Sequence, residues 1–587
     1  MNILGISCYY HDSAAALLQD GLLIAAAQEE RFSRIKNDPS FPVLAVRFCL
    51  SQAGIQPQDL DFVVLHEKPL LKLERFLTTT LRYWPRAGSL FQQGAMNWMN
   101  QKLWIRAKIS EELAIASEKI LFVDHHMSHA ASAFFCSPFE EAAVLTVDGV
   151  GEWATATMGT AANSPCAIHL SQEMRFPDSI GLLYSTFTAF LGFEVNEGEY
   201  KVMGMAPYGD PRYLDELHRV AKLHEDGSVS LDTRFFSFHY SADRSFTSRF
   251  VDLFGPPREP NLEFVTGRAD TGDGPVDLKQ RNQRYADIAA TVQCFTEQAL
   301  LKMATHLQRS CGSKNCCIAG GVALNSVANT QLLRGAGFDR IFIQPAAGDA
   351  GGALGAAQYV WHVLLGKSRS FIMEHAYWGN SYKDGEIASA LADTGAVHLA
   401  NEEQLTEHAV RDLLDGKVVG WFQGRFEWGP RALGNRSILA DPRREDMKKI
   451  VNSKIKFREP FRPFAPVVPE QSVSSLFVTP GNFAQQYPPR FMLMVVPWQE
   501  EAGPRVPAVN HLGTGRLQAL RSEWNPRYDA VLQGFAAATG LPVLMNTSLN
   551  VRGEPIVASP QDALHTFRKS GLDVLYIGNC RLEKEGS

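Results

Sequence analysis

The chain has 587 residues, 45% of them hydrophobic and 20% charged, and a formal net charge of −6. Its length exceeds what one hydrophobic core holds and predicts at least two domains. The acid excess gives no global attraction to nucleic acid or to an anionic membrane, so any phosphate chemistry has to come from placed lysines and arginines. Nine cysteines are scattered, with Cys316 and Cys317 the only close pair and no CxxC spacing, so reduced thiols in a cytoplasmic compartment are expected. No apolar run approaches the roughly 18 residues that cross a bilayer. The N-terminal stretch carries His11 and Asp12 in its middle and does not read as a signal peptide.

In chain order, NILGISCYY reads as a strand, AAALLQ as a second, Asp20-Gly21 as a tight turn and LLIAAAQEE as a third strand. ILFV at 120–123 reads as a buried strand and the HAASAF run behind it as a helix, which puts His125 and His129 on one face, one turn apart. AAVLTVDGVGEWATATMG then repeats the strand, Asp-Gly turn, strand grammar of the N-terminus and predicts a duplicated half-domain. Residues 236–284 are polar and predict a loop-rich excursion before a helix over ADIAATVQCFTEQALLKMATHLQ. NCCIAGGVALN and RIFIQPAAGDAGGALGAA read as strands running into Gly-rich turns that open helices, where backbone N–H groups can approach a phosphate or ribose. Composition changes near residue 366, so the predicted domains are 1–365 and 366–587.

The His pair, Asp148 in its Val-Asp-Gly turn and Asp349 in Gly-Asp-Ala-Gly-Gly together make a candidate metal site. Imidazole nitrogens and carboxylate oxygens suit a divalent first-row transition metal better than calcium or magnesium. A zinc-protease reading fails because HHMSH has no Glu beside its first His. In the second block, Lys454, Lys456, Arg458 and Arg462 form the densest basic cluster, in KIKFREPFRPF. Lys448 and Lys449 read as a solvated face, but Arg458 and Arg462 are interleaved with Phe457, Phe461, Phe464 and prolines, which predicts partial burial. A buried cation needs an anionic partner, and a phosphate or acyl phosphate is the expected one. NTSLN adds hydroxyl and amide donors after a strand.

HDSAAAL, EERFSR, HHMSHAAS, VDGVGEW, GEYKVMGMAPYG, GGVALN, GPRALGNRSILADPR, FREPFRPFAP and NTSLNVRGEPIV occur in order from the start of the chain to about residue 580. Together they resemble the O-carbamoyltransferases of the nodulation-factor and antibiotic-tailoring type, whose tobramycin-, cephem- and saxitoxin-type members modify small molecules. The resemblance implies an α/β protein in two parts. The N-terminal domain would be of the actin/sugar-kinase ATPase fold, like the tRNA threonylcarbamoyl transfer protein; the C-terminal α/β domain would be like the threonylcarbamoyl-adenylate synthase. It further implies that the C-terminal domain makes carbamoyl adenylate from carbamoyl phosphate and ATP, with Mg2+, and that the N-terminal domain transfers the carbamoyl group to a hydroxyl of a small-molecule acceptor.

Iron as Fe2+, with Zn2+ or Mn2+ as alternatives, is the metal implied for His125, His129, Asp148 and Asp349. His11 is implied as general base; unaided, the residues favour a turn histidine there, and Asp12 would orient it or accept a hydrogen bond from substrate. Arg431, Lys456, Arg458, Arg462, Asn546, Ser548, Asn550 and Arg552 are implied to bind carbamoyl phosphate and ATP. Gly149, Gly320, Gly321, Asn325 and Lys201 would take the adenylate in the transfer domain, although a structural Glu199–Lys201 ion pair is nearly as compatible with GEYKVMG. The chain departs from the family pattern at HLGTGRLQ, where an Asp is missing, which weakens the assignment of His511 and Arg516. Neither nucleic acid nor membrane is an expected partner, and a homodimer stays open. A tRNA-modifying enzyme and a non-catalytic actin-like ATPase are the competing classes; a hydrogenase-maturation carbamoyltransferase would need CxxC pairs that are absent here. Segments 66–110 and 236–284 are expected to be loops that build the acceptor pocket, with an internal passage between the two active sites.

Overall fold

The first three apolar runs form β1 (Asn2–Ser7), β2 (Ala14–Gln19) and β3 (Leu22–Gln28). Asp20 and Gly21 both take positive φ, 49° and 82°, which is the backbone a two-residue hairpin turn needs. In the computed structural model, which describes residues 1–100, 102–268, 271–272 and 274–584, the chain divides into two units. The first is Met1–Ala25 with Pro39–Ile372; the second is Ala26–Asp38 with Met373–Ser587. The expected division after 365 thus stands against one after 372, and the second unit also takes a short N-terminal segment.

In the first unit β1 pairs parallel with β4 (Phe62–Leu65), and β4 parallel with β5 (Ile120–Phe122), giving the order β3-β2-β1-β4-β5. The second sheet contains β6 (Glu141–Val147), β7 (Ala154–Asn163) and β8 (Cys166–Arg175). A small ribbon of β9 (Ala221–Leu223) and β10 (Val229–Leu231) follows, and β11 (Asn315–Ala319) and β12 (Arg340–Phe342) complete the second sheet. Its order, β12-β11-β6-β7-β8, is that of the first sheet reversed, and β11 is parallel to both neighbours. The halves are therefore duplicates, which is the actin/sugar-kinase-like arrangement. Helix His125–Phe134 follows β5 and helix Asp349–Tyr359 follows β12, so they occupy equivalent places. His11 follows β1 and Asp148 follows β6, again equivalent places.

Glycine lets these elements meet. A Cβ on Gly355 would lie 1.8 Å from the Ser128 carbonyl oxygen, and one on Gly5 would lie 1.8 Å from that of Ala353. Helix Asp349–Tyr359 is thus pressed against β1 on one side and helix His125–Phe134 on another. The run GGALG, expected at a ligand turn, lies within this helix and serves its packing.

Two expectations are corrected. Segment 66–110 is mostly helical, with helices Pro69–Arg82, Gly88–Asn100 and a third beginning at Ile105. Within 236–284 there is a helix Ser248–Phe254, and the long helix starts at Val276, ten residues before the apolar periodicity begins, and runs to Cys311. Pro275 precedes it, and its polar first turns carry ordinary helix formers. Residues 101, 269, 270 and 273 of these segments lie outside the described residues.

The second unit is built on one nine-stranded mixed sheet, in the order β13-β21-β20-β14-β15-β19-β16-β18-β17. Its strands are β13 (Val397–His398), β14 (Val419–Phe422), β15 (Arg436–Ala440), β16 (Ala465–Pro469), β17 (Met494–Pro497), β18 (Thr514–Leu520), β19 (Leu544–Ser548), β20 (Val574–Ile577) and β21 (Cys580–Glu583). Trp421, Tyr528, Phe535 and Tyr576 fill its core beneath helices Glu402–Leu414 and Pro526–Thr539. The 26–38 segment is tied in by Arg31, which donates to the Gly429 carbonyl (2.7 Å), and Arg34, which donates to those of Ile556 (2.7 Å) and Pro555 (2.8 Å). No helix among the described residues is long and apolar enough to cross a membrane.

Replacing Gly355 with Ala should destabilise the first unit by at least about 1–3 kcal/mol, the usual range for overpacking, because the obstacle is backbone. Gly385→Ala, in a helix and with nothing within 4 Å of a new Cβ, should instead gain about 0.5–1 kcal/mol. Urea unfolding of the two variants checks both signs.

Candidate metal and transfer site

His125, His129, Asp148 and Asp349 converge, each offering one ligand atom within 4.8 Å of the others. The Nε2 atoms of the two histidines are 3.0 Å apart. His125 Nε2 lies 3.0 Å from Asp148 Oδ2 and 3.5 Å from Asp349 Oδ1; His129 Nε2 lies 3.6 Å from each of these oxygens. Ligand atoms about 2.0–2.1 Å from a tetrahedral ion sit about 3.3–3.4 Å from one another, so the spacing fits a first-row divalent cation. Two imidazole nitrogens facing each other across 3.0 Å need a proton or a cation between them. The donor set of two nitrogens and two carboxylate oxygens fits the transition metals named above.

The backbone fixes each ligand. Glu152 accepts the His125 N–H, at 3.0 and 3.2 Å through its two oxygens, and so anchors the helix N-terminus. Gly321 N–H donates to Asp148 Oδ1 (3.0 Å), leaving Oδ2 to face the histidines. A Cβ on Gly151 would come within 2.9 Å of the His125 ring, so the glycine of VDGVGEW gives that imidazole its room. His126, the middle histidine, is not part of the cluster. Its ring nitrogens contact Thr146 Oγ1 (2.6 Å) and the Ala154 carbonyl (2.9 Å), and burial drives its pKa down to about 3.

Around the cluster the field is set by the two aspartates. Burial opposes the protonation of His129, but its hydrogen bonds to Asp148 and Asp349 prevail and push it up to about 9. Both aspartates are held below the usual carboxylate range: burial works against this, and the neighbouring histidines outweigh it. His11 is 3.9 Å from Asp349 Oδ2 through Nε2, while its Nδ1 is 3.1 Å from Asp12 Oδ2. Burial lowers His11, but the Asp12 hydrogen bond and the Asp349 charge raise it further, to about 9. Asp12 sits in the left-handed region (φ 54°), in a turn that brings its carboxylate back onto His11. Behind His125 lies His66, 1% exposed and lowered to about 4 by burial, beside a Glu67–Lys72 pair at 2.6 Å.

The expected adenylate residues divide. Gly321 touches Asp148 directly, and Gly320 takes φ 95° beside the backbone of Val147. Gly149 accepts the Ser179 hydroxyl (2.7 Å) through its carbonyl. Asn325 caps the following helix at Ala328 N–H (3.2 Å) and exchanges hydrogen bonds with Gln293 at 3.0 and 3.1 Å. Lys201 stands 5.5 Å from the Phe193 ring centroid, and the Glu199 carboxylate accepts from Ser185 and Asn196.

In the second unit Lys456, Ser548 and Asn550 come together as expected, but around the ammonium itself. Lys456 Nζ donates to the Ser548 carbonyl, and also to Ser548 Oγ (3.1 Å), the Asn550 carbonyl (3.0 Å) and Asn550 Oδ1 (2.8 Å). Burial, with Arg458, Arg462 and Lys36 nearby, lowers its pKa well below the ordinary lysine value. Lys36, from the N-terminal segment, is a member of this cluster that composition alone did not reveal. Arg458 donates to Asn452 Oδ1 (2.7 Å) and stands 4.4 Å from the Phe464 ring centroid; Arg462 lies 3.6 Å from Glu459. Arg431 is on the loop that Glu427 organises by accepting the N–H groups of Leu433 (2.7 Å), Asn435 (2.8 Å) and Arg436 (3.2 Å). Asn546 is 1% exposed and donates to Gln518 (2.6 Å) and to the Ala432 carbonyl, whereas Arg552 is exposed. His511 closes a hairpin with Thr514 through Leu512 and Gly513, both at positive φ, and Arg516 lies on β18, in register with Val495 of β17.

The family models for the carbamoyltransferase N-terminus and C-terminus match residues 2–358 and 410–584, so the chain belongs to the carbamoyltransferase family and is a transferase. It is 36% identical to nodulation protein NolNO of Sinorhizobium fredii over 98% of this chain and 79% of that protein. It is 37% identical to nodulation protein NolO of Bradyrhizobium diazoefficiens over 79% of each. An uncharacterized Synechocystis protein, sll1178, is 43% identical over 99% of this chain and 97% of its own length. Among solved structures, component A of the (R)-2-hydroxyglutaryl-CoA dehydratase of Acidaminococcus fermentans matches 61% of this chain and 97% of its own at 14% identity and a TM-score of 0.31. HypF of T. kodakarensis matches 61% of this chain and 48% of its own, at 14% identity and a TM-score of 0.30.

The raised histidines set a pH signature for the metal-free protein. His11 and His129, moved from 6.5 to about 9, contribute stability that is complete below 6.5 and lost as pH rises through 9. The unfolding free energy of chelated protein should therefore fall between about pH 6.5 and pH 9. Metal-loaded protein should show the opposite trend, since ligation requires neutral imidazole. Denaturant midpoints with and without chelator across that range check the crossing.

Proposed function

We propose that the protein is an ATP-dependent O-carbamoyltransferase that forms carbamoyl adenylate and passes its carbamoyl group to a hydroxyl of a small molecule. The observation that carries this reading is the four-ligand cluster with His11 beside Asp349, in a chain of the carbamoyltransferase family. Carbamoyl phosphate alone is a weak electrophile toward an alcohol, because its carbonyl is deactivated by the amide nitrogen. For the atoms to balance, carbamoyl phosphate yields its phosphate to water, the carbamate oxygen attacks the α-phosphorus of ATP, and pyrophosphate leaves. The alcohol then attacks the carbamoyl carbon, AMP departs and one proton is released.

In the second unit Arg458 and Arg462 supply charge-assisted hydrogen bonds to phosphate oxygens, each worth about 1.5–3 kcal/mol. Lys456 holds the Ser548–Asn550 turn in shape beside them. In the first unit His125, His129, Asp148 and Asp349 hold the divalent transition metal, Fe2+ before Zn2+ or Mn2+. When bound, that ion supplies positive charge for a departing phosphate. With Asp148 and Asp349 engaged, their share of the field that raises His11 is relieved while that of Asp12 stays, and Nε2 of the neutral ring takes the alcohol proton. Asp12 fixes the tautomer through Nδ1.

His11→Asn should leave carbamoyl adenylate and pyrophosphate formation intact and slow transfer, and with it AMP release, by about 100-fold or more, within the usual range for losing a general base. A near wild-type rate would assign the base elsewhere. Purified protein should carry about one equivalent of transition metal by elemental analysis, and His129→Ala should lose it together with transfer.

Arg462→Ala should fail with carbamoyl phosphate and ATP, yet transfer from presynthesised carbamoyl adenylate, whereas His129→Ala fails with either donor. ADP as the nucleotide product, or no rescue of Arg462→Ala, would overturn the adenylate route.

A further inference from the structure

Helix Pro69–Arg82 is built inside out. It turns Leu70 and Leu81 to solvent, 72% and 75% exposed, and buries Lys72, which is 7% exposed. The inward face therefore carries charge, and it faces the transfer site. Lys72 Nζ lies 4.9 Å from the centroid of the Tyr10 ring, and Tyr10 lies 4.5 Å from the ring of His11. Arg75 follows Lys72 by three residues, on the same side of the helix. Its guanidinium carbon stands 5.1 Å from the centroid of Phe176, and its buried Nε has no hydrogen-bond partner among the described residues.

The carboxylates near Arg75 are committed elsewhere. Glu67 is paired with Lys72 at 2.6 Å, and Glu152 accepts the N–H groups of His125 and Lys68. Burial lowers the pKa of Arg75, opposed by Tyr10, Glu67 and Glu152 at longer range. Tyr10 is 40% exposed, yet burial and the Asp349 and Asp148 charges push its hydroxyl up. Tyr10 thus reaches solvent while its ring lies against His11, beside the metal ligands. A guanidinium stacked on a ring, whose buried Nε has no acceptor among the described residues, is costly to keep so.

We infer that Arg75 is the anchor of an oxyanion subsite beside the transfer site, which takes a carboxylate or phosphate group of the bound ligand, with the rings of Tyr10 and Phe176 on its flanks. Two sources share this chemistry: an anionic substituent on the acceptor, and the phosphate of the carbamoyl adenylate. The inference rests on the transfer reading for which ligand arrives; binding of a simple anion does not depend on it.

Equilibrium dialysis of metal-loaded full-length protein against radiolabelled sulfate tests the site. Arg462→Ala serves as the background, to weaken the basic cluster of the second unit. Adding Arg75→Gln should lower sulfate affinity at least tenfold at one site, Phe176→Ala should lower it severalfold with the charge still present, and Arg75→Lys should retain most of it. Equal sulfate binding with and without Arg75→Gln, with unfolding midpoints unchanged, would overturn the subsite. If Arg75→Gln does not fold, full sulfate affinity in Phe176→Ala overturns it. Displacement of the sulfate by AMP assigns the subsite to the adenylate phosphate, and simultaneous binding of both assigns it to the acceptor. Wild-type protein that forms no pyrophosphate from carbamoyl phosphate and ATP would refute the proposed reaction while leaving the sulfate result standing.

Discussion

The first unit depends on the contact between two helix backbones. Gly355 meets the Ser128 carbonyl where a methyl group would stand 1.8 Å away, and Gly5 of β1 meets Ala353 of the same helix as closely. Both contacts fix helix Asp349–Tyr359, whose first residue is a candidate ligand. The helix it presses against begins with the two histidines, and the strand beneath it leads to His11. Side chains at these contacts would move the ligand atoms apart by more than the few tenths of an ångström that coordination tolerates. Duplication explains why His11, His125, His129, Asp148 and Asp349, from distant parts of the chain, meet at all. Each half contributes the residue beyond its first strand and the start of the helix beyond its fifth. One half supplies histidines and the other aspartates, which is what a cation needs and an apolar core does not.

Much of this was legible in the sequence because it is local. The Asp-Gly hairpin, the repeated strand grammar and the one-turn spacing of His125 and His129 depend on neighbours a few residues away. Helix Pro69–Arg82 carries Leu70, Leu73, Leu77 and Leu81 at helical spacing, so its periodicity is visible in the sequence, whereas the exposure of Leu70 and Leu81 and the burial of Lys72 are not. The glycines of DAGGALGAA read equally as a ligand turn, since a sequence does not distinguish close approach to a phosphate from close approach to another helix. Glu152 and Gly151 were in plain view within VDGVGEW, but their roles depend on where the His125 helix begins. Membership of Lys36 in the basic cluster was beyond reach, because the fold joins 26–38 to a unit that otherwise starts more than three hundred residues later.

The basic block shows a further limit of reading charge from sequence. A run of lysines and arginines states how many cations are present, not what solvates them. Arg436 is completely buried, 3.6 Å from the Phe422 ring centroid, and donates to the carbonyls of Gln423, Asn435, Gly424 and Asn380. Burial lowers it to about 10 without leaving it in need of a ligand. Lys456 is likewise enclosed by four oxygens of a single turn. Both hold loops in place, and their charge is spent on the protein itself.

What separates a scaffold cation from a ligand-binding one is therefore its supply of acceptors, and Arg75 falls on the other side of that line from Arg436. The two are similar in standing over a phenylalanine ring. Arg436 sits at a strand end, where carbonyls not used by the ladder can turn toward it. Arg75 sits on the flank of a helix, whose carbonyls are committed along the axis to residues four positions on. The nearby carboxylates of Glu67 and Glu152 are already committed to a lysine and to a helix N-terminus. Secondary structure thus decides the matter before any ligand is considered: an arginine projecting from the flank of a helix must find its acceptor beyond that helix, and here Tyr10, which lies against His11, is among its neighbours.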